Sequence, residues 1–322
     1  MFKREIKKQN KILRTLLKLM NVYAIDKENF DFVNPNIKNN SQNYHLFNKI
    51  SFNLSTGYTE INRKIENFDI FLRFSPSVDL WNSKGRWKRI IPNIDKEILI
   101  KVCAHSLKKS LLNFFMKSNI NLTLNLIFDQ SNNKFNNELI NILKNKYFPV
   151  KLFETDIKGN RGSYLKCCDL AKNSRDLIFF CEDDYLFEKN FFDEVLFSFS
   201  KISSMLKKDI FICPSDYTFF YDKNYQTFLM IGKDSKWRKV NETLLTFIFS
   251  KKLYNKHYNN IRLVGEKIND PFEKPLHYIY EENYCFAPIG SLCHHISRSI
   301  PNNNNLWLET WTKNYNDLYG GP

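Results

Sequence analysis

At 322 residues, with 43% hydrophobic and 25% charged side chains, the chain has the make-up of a globular protein able to bury one large core or two small ones. No apolar run reaches the length of a membrane span, no signal-peptide h-region opens the chain, and none of the seven cysteines falls in a Cys-x-x-Cys pair, which excludes membrane-spanning helices and the common zinc and dithiol sites. Nucleic acid, an anionic membrane and a phosphate-bearing substrate would each answer a formal charge of +14, but the basic excess is spread along the chain without a long Lys/Arg block and reads as a solvated basic surface.

Taken in chain order, residues 3–25 read as a basic amphipathic helix carrying Ile12, Leu13, Leu16, Leu17, Leu19 and Met20. Such a helix suits either the inner face of a membrane or a seat on the protein body, and the seat on the body is the preferred reading. Residues 26–67 are Asn-rich and read as loop and short helix. From residue 68 strands and helices alternate. Residues 68–74 (FDIFLRF) form a short apolar run closed by Ser75-Pro76, hence a buried strand. Residues 95–116 have helical spacing with Asp95 as N-cap, and residues 121–128 are a strand ending at Asp129. A helix at 136–146, a strand at 150–153 and a helix at 162–173 follow, the last opened by Gly159-Asn160-Arg161-Gly162. The apolar strand 176–181 ends in Glu182-Asp183-Asp184, and a helix at 191–206 and a strand at 210–213 complete the run.

This order specifies an α/β fold, a mainly parallel Rossmann-like sheet flanked by helices, behind a helical or irregular N-terminal segment. Ligands of such sheets bind outside the carboxyl ends of the strands, so the polar residues just past each strand are the ones to examine. After residue 214 the alternation fails, and strand-like pieces at 217–221, 227–231 and 243–249 precede another helix. The seven cysteines, including the adjacent Cys167 and Cys168, read as small buried hydrophobes of a reducing, cytoplasmic compartment.

Glu182-Asp183-Asp184 is the strongest chemical signal. Three adjacent acids past an apolar strand repel one another unless a divalent cation sits among them, and Mg2+ or Mn2+ held by one or two carboxylates leaves positions for phosphate oxygens. The plain alternative is an acidic helix start. In Gly159-Asn160-Arg161-Gly162 the two glycines would let backbone N–H groups and a guanidinium approach an anion, though a helix-opening glycine explains the same residues.

The stretch GNRGSYLKCCDLAKN…DLIFFCEDDYLF resembles the donor half of bacterial family 2 glycosyltransferases of the GT-A fold. The resemblance extends to FLRFSPSVDLW at 71–81, LLTFIFSKK at 244–252 and FAPIGSLCHH at 286–295, and so spans roughly residues 68–300. In that family a DxD-like motif ends a central strand and binds the metal and nucleotide-sugar; the motif here is Glu-Asp-Asp, not a strict Asp-x-Asp. The resemblance implies Asp184 as metal ligand, with Glu182 and Asp183 facing the ribose or sugar-phosphate. It implies Asp129 at the nucleobase, Arg73 and Ser75 at base and ribose, and a late histidine returning to the metal. His295 is the better aligned of His294-His295 for that role. An inverting transfer also needs a carboxylate base, for which Asp270 is preferred over Glu266 and Glu242. Trp237-Arg238, Trp307 and Trp311 suit an acceptor cleft, but core packing is the safer reading for any one Trp.

The expected division is residues 1–67 as N-terminal segment, 68–216 as donor half and 217–322 as acceptor-side half of the same domain. The expected activity is metal-dependent, inverting transfer of a sugar from a nucleotide-sugar to a glycan or lipid-linked acceptor, as in polysaccharide biosynthesis, with Mn2+ or Mg2+ and without nucleic acid. A sugar-phosphate nucleotidyltransferase would use the same sheet and metal but needs a Gly-rich, basic loop after the first strand, and LRFSPSVDLW has no glycine. A non-enzymatic nucleic-acid binder needs clustered basic residues. A P-loop enzyme is excluded, because no G-x-x-x-x-G-K-[ST] occurs.

Overall fold

The computed structural model describes residues 41–46, 50–55, 60–77, 91, 94–221, 227–269, 271–296 and 306–320. The basic helix expected at 3–25 lies outside them. Within the Asn-rich segment an antiparallel hairpin of β1 (Ser41–Leu46) and β2 (Ile50–Ser55) stands where the sequence reads as loop and short helix. There follow β3 (Asn67–Phe74), α1 (Lys96–Phe115), β4 (Asn121–Phe128), α2 (Asn133–Leu143), β5 (Val150–Glu154), α3 (Asn160–Ala171), β6 (Leu177–Cys181), β7 (Tyr185–Phe187) and α4 (Phe191–Leu206). The second half contains β8 (Phe211–Ile212), β9 (Leu229–Ile231), β10 (Lys236–Val240), β11 (Phe247–Ser250), α5 (Lys251–Lys256), α6 (Tyr258–Glu266), α7 (Lys274–Asn283), β12 (Cys285–Pro288), β13 (Cys293–His295) and α8 (Leu306–Tyr319).

Nine of these strands form one sheet in the order β5-β4-β3-β6-β11-β8-β12-β10-β9. The pairs β5-β4, β4-β3, β3-β6 and β8-β12 are parallel, and the pairs made by β11 and β10 are antiparallel. Tracing directions across the sheet, β10 and β11 run against the other seven, so the sheet is mostly parallel. Near-continuous apolar runs such as LIFFC in β6 are what such strands require, because both faces are covered. On one face Phe68, Ile70, Leu72 and Phe74 of β3 meet α1, α2 and α4. On the other, Phe71 of β3 and Phe180 of β6 pack with α3, α6 and α7.

Local signals set most boundaries. The Asp95 side chain accepts from Glu97 N and starts α1. Helix α2 begins at Asn133, ahead of the expected 136, because the Asn132 side chain caps it by accepting from Phe135 N. The expected strand at 217–221 is a 3-10 turn, Thr218–Phe220, and the expected strand at 210–213 pairs over Phe211–Ile212 alone. The acid triplet starts no helix: the short strand β7 follows it, and α4 opens only at Phe191. All seven cysteines are buried and free. No helix among the described residues is long and apolar enough to cross a membrane.

Candidate metal and donor site

The carboxyl ends of β3, β4 and β6 lie side by side, and their first polar residues bond to one another. Ser75 N donates to Asp183 Oδ2 at 2.8 Å, and Ser75 Oγ donates to Asp129 Oδ2 at 3.1 Å. Asp129 is wholly buried and also accepts from Gly159 N at 2.9 Å and Thr155 Oγ1 at 3.4 Å. The carboxylate that the resemblance sets against a nucleobase therefore ties three loops together, and that bonding satisfies its buried charge. Arg73 is 3% exposed; its guanidinium donates to Glu182 Oε1 at 2.8 Å and to the Asn160 side chain, and it lies over the Tyr164 ring. A guanidinium out of water needs such partners, and here they fix Glu182 and the mouth of α3 together.

The Gly159-Asn160-Arg161-Gly162 motif divides into separate tasks. Gly159 takes φ of 90°, which an L side chain rarely adopts, and turns the chain into α3, which begins at Asn160, ahead of the expected 162. A Cβ on Gly162 would sit 1.8 Å from the Ile157 carbonyl oxygen, so only glycine permits that approach. Arg161 departs from the expected anion contact: Nε donates to Gly265 O at 2.8 Å and Nη2 to Glu266 O. It binds the carbonyl end of α6.

At the end of β6 the three acids part company. Asp183 turns to Ser75 N–H and the Lys96 side with its carboxyl raised, chiefly by burial, against the pull of the Lys96 ammonium. Burial likewise raises Glu182, with Arg73 opposing and the neighbouring Asp184 charge adding to the rise. His295 Nε2 lies 3.1 Å from Asp184 Oδ2. The cause is strand pairing: β13 runs antiparallel to β7 with His295 opposite Tyr185, and Ile296 N donates to Asp184 O at 2.9 Å. The Tyr185 ring stacks on the imidazole at 4.5 Å and fixes its plane. Glu182, Asp184 and His295 each offer a ligand atom, and these atoms lie within 4.8 Å of one another. Two carboxylates and one imidazole at that spacing suit a divalent cation. Glu182 thus joins the metal-compatible group, whereas the sequence sets it on the ribose or sugar-phosphate. His294 points elsewhere: Nε2 is 2.8 Å from Glu188 Oε1, and Glu188 also accepts from Thr310 of α8 at 3.0 Å.

Of the expected bases, Glu266 and Glu242 do not join this group among the described residues. Glu266 ends α6, and its carboxylate accepts from Arg262 Nε at 2.6 Å. Glu242 lies 4.0 Å from His277 Nε2, and Asp270 is outside the described residues. Trp237 is core, donating from Nε1 to Glu194 at 3.0 Å, and Trp311 is buried in the seam of α8 with α1. Two neighbours escape the sequence reading. Thr246 Oγ1 accepts from Glu182 N at 3.3 Å, a contact with no local signal. Asp216 follows β8 at the same sheet edge, and an acid just past an apolar run (IFICPSD) is the signal that marks Glu182.

No protein-family model matches the chain, and no curated protein sequence matches it. Among solved structures it is similar to the inositol-1-phosphate CTP transferase from T. maritima, with 12% sequence identity and a TM-score of 0.38 over 80% of this chain and 98% of that one. A likeness of that size carries no functional argument, which leaves function to be read from the site.

Proposed function

We propose that the chain is a metal-dependent glycosyltransferase that binds a nucleotide-sugar at the carboxyl edge of β3, β4 and β6. The observation that carries the reading is the return of His295 to Asp184 and Glu182 across 111 residues of chain. A purely structural acidic turn does not need an imidazole brought back to it, whereas an imidazole beside two carboxylates adds a third donor for a divalent cation. When bound, Mn2+ or Mg2+ there supplies charge neutralisation for a departing nucleoside diphosphate. The protein's own groups do the positioning. Arg73 fixes Glu182, Ser75 N–H and Lys96 hold Asp183 against the base-and-ribose side, and Tyr185 holds the His295 ring. Residues 68–216 serve mainly the donor, with His295 joining them from the second half, and residues 217–322 mainly the acceptor, a glycan or lipid-linked hydroxyl, within one domain. Transfer proceeds with inversion, and nucleic acid is no partner.

The test is a screen of UDP-, GDP-, CDP- and dTDP-sugars with Mn2+, Mg2+ or EDTA, reading release of the nucleoside diphosphate. Metal-dependent release from one donor class is the expected outcome. Release of pyrophosphate from a nucleoside triphosphate and a sugar phosphate, with no release from any nucleotide-sugar, would replace this reading by nucleotidyl transfer.

A further inference from the structure

Strand β8 lies two places from β6 in the sheet and runs the same way, so its carboxyl end opens on the edge that carries Glu182 and Asp184. Past it, Ser215 Oγ donates to Cys293 O at 2.7 Å, and the Tyr217 hydroxyl bonds that of Tyr185 at 2.5 Å. The Tyr217 ring also meets the His295 ring edge-on at 6.1 Å. Asp216 thus lies between Ser215, which bonds Cys293 of β13, and Tyr217, which reaches His295 of the metal-compatible group.

The bonding of Asp216 is one-sided. Oδ2 accepts from Gly290 N at 2.9 Å and from the Tyr221 hydroxyl at 2.7 Å. Oδ1 is shielded from solvent and has no hydrogen-bond partner among the described residues. Across from it Arg238 of β10, 8% exposed, lies over the Tyr221 ring at 4.5 Å and donates from Nη2 to Phe220 O at 2.8 Å. Arg238 Nε is shielded and likewise without a partner. A desolvated acceptor and a desolvated donor each cost about 1–3 kcal/mol when left unmade. A hydroxyl-bearing ligand offers both complements, because an alcohol O–H donates while its lone pair accepts. Tyr221, 48% exposed, stands over the pair as its cover.

We infer that Asp216 is the carboxylate that receives the acceptor's hydroxyl proton, with Arg238 and Tyr221 binding the same hydroxyl-bearing acceptor; the inference rests on the glycosyltransferase reading above. The acceptor O–H bond breaks and its proton passes to Asp216 Oδ1. The freed oxygen pair forms the bond to the anomeric carbon, and the bond from that carbon to the diphosphate breaks, its electron pair leaving with the nucleoside diphosphate. A carboxylate anchored through one oxygen keeps its orientation while the other works; Glu266 is also held through one oxygen, by Arg262, but it stands 45% exposed at the end of α6.

The experiment compares wild type, Asp216→Asn and Asp216→Ala in two readouts. One is the melting-temperature rise given by Mn2+ with UDP, GDP, CDP or dTDP; the other is nucleoside diphosphate release from the same sugar donors with hexoses and methyl glycosides as acceptors. Asn keeps an oxygen for Gly290 N–H and Tyr221, so Asp216→Asn is expected to keep the nucleotide shift and lose about 10²–10⁴-fold in release. Sodium formate is expected to restore part of the rate of Asp216→Ala. An Asp216→Asn variant within tenfold of wild type overturns the assignment and leaves the glycosyltransferase reading standing. A variant that loses the nucleotide shift as well marks Asp216 as scaffold, which also overturns it. Wild type that shows neither shift nor release from any donor removes both.

Discussion

The two halves of the sheet hold their polar groups in different ways. At the ends of β3, β4 and β6 the side chains close on one another: Asp129 on Ser75, Thr155 and Gly159, Arg73 on Glu182 and Asn160. Around β8 and β10 the bonds are one-sided, and Asp216 Oδ1 and Arg238 Nε are shielded and without partners among the described residues. Both edges leave a buried guanidinium Nε without a partner, at Arg73 and at Arg238, but the second also leaves a carboxylate oxygen, Asp216 Oδ1, without one among the described residues. That difference fits a donor edge that binds first and an acceptor edge that reads the incoming hydroxyl.

The largest expected effect breaks the donor edge. Asp184→Ala should lower transfer by about 10³-fold or more, the loss of several kcal/mol of charge stabilisation, while ligand-free melting stays near wild type. The melting rise given by Mn2+ with nucleoside diphosphate should vanish with it. His295→Ala should weaken the same rise, and His294→Ala should leave it intact, because His294 is bound to Glu188. Persistent full activity of Asp184→Ala in EDTA would end the metal reading.

Next in size is Arg73→Ala, which strands Glu182 and Asn160 at once. Urea unfolding should show a loss of about 2 kcal/mol, below the 3–5 kcal/mol of a fully buried pair because Glu182 keeps 22% exposure. Arg73→Lys should recover part of the stability but little of the activity, since an ammonium cannot reach both partners as a planar fork does. Equal activity of the Lys variant and wild type would show that the fork is not needed.

A third change tests the acceptor side through its backbone. Leu244 and Leu245 both take positive φ, 51° and 60°, and the buried Glu273 holds that loop by accepting from Thr243 N and Thr243 Oγ1, each at 2.8 Å, and from Leu244 N at 3.2 Å. Glu273→Gln turns an amide N–H₂ towards N–H donors and should cost about 1–3 kcal/mol. Burial raises the Glu273 carboxyl above the ordinary Glu range. A raised folded-state value means the stability tied to its protonation is present at acid pH and lost as pH rises through that value. The cost of Glu273→Gln should therefore be larger near pH 4 than at pH 7; a cost that grows towards neutral pH would contradict the assigned direction.

The smallest expected effect belongs to Glu188, which joins His294 to Thr310 of α8. Glu188→Gln should cost about 1 kcal/mol in chemical unfolding and leave the Mn2+-dependent nucleotide shift unchanged. A lost shift would mean that α8 reaches the metal group through this link.

The same contrast between the halves explains what the sequence discloses. Strands β3, β4 and β6 run five to eight residues and are rich in apolar side chains, long enough to read, and each is followed directly by a polar residue that the site uses. Strand β8 has two residues and β9 and β13 three each, too short for any periodicity to register. Their partners are also remote in sequence: β8 pairs with β11 and β12, so neither pairing nor direction follows from local pattern. Asp184 and His295 are legible as candidates, but their approach depends on β7, which the sequence reading omits because three residues after three acids resemble a helix entry. Arg161 misleads for the opposite reason. A guanidinium at a glycine-flanked helix mouth looks the same whether it meets an anion or the carbonyl end of α6.

The most direct test of the metal–donor site is a crystal soaked with MnCl2 and the nucleoside diphosphate that gives the largest melting shift, read by manganese anomalous scattering. The expected result is a single strong peak bonded to Asp184 and to His295 Nε2 with Glu182 at its side, the ring having exchanged its hydrogen bond to Asp184 for the ion. An intact His295–Asp184 hydrogen bond at saturating Mn2+ and nucleotide, with the peak elsewhere or absent, would contradict it.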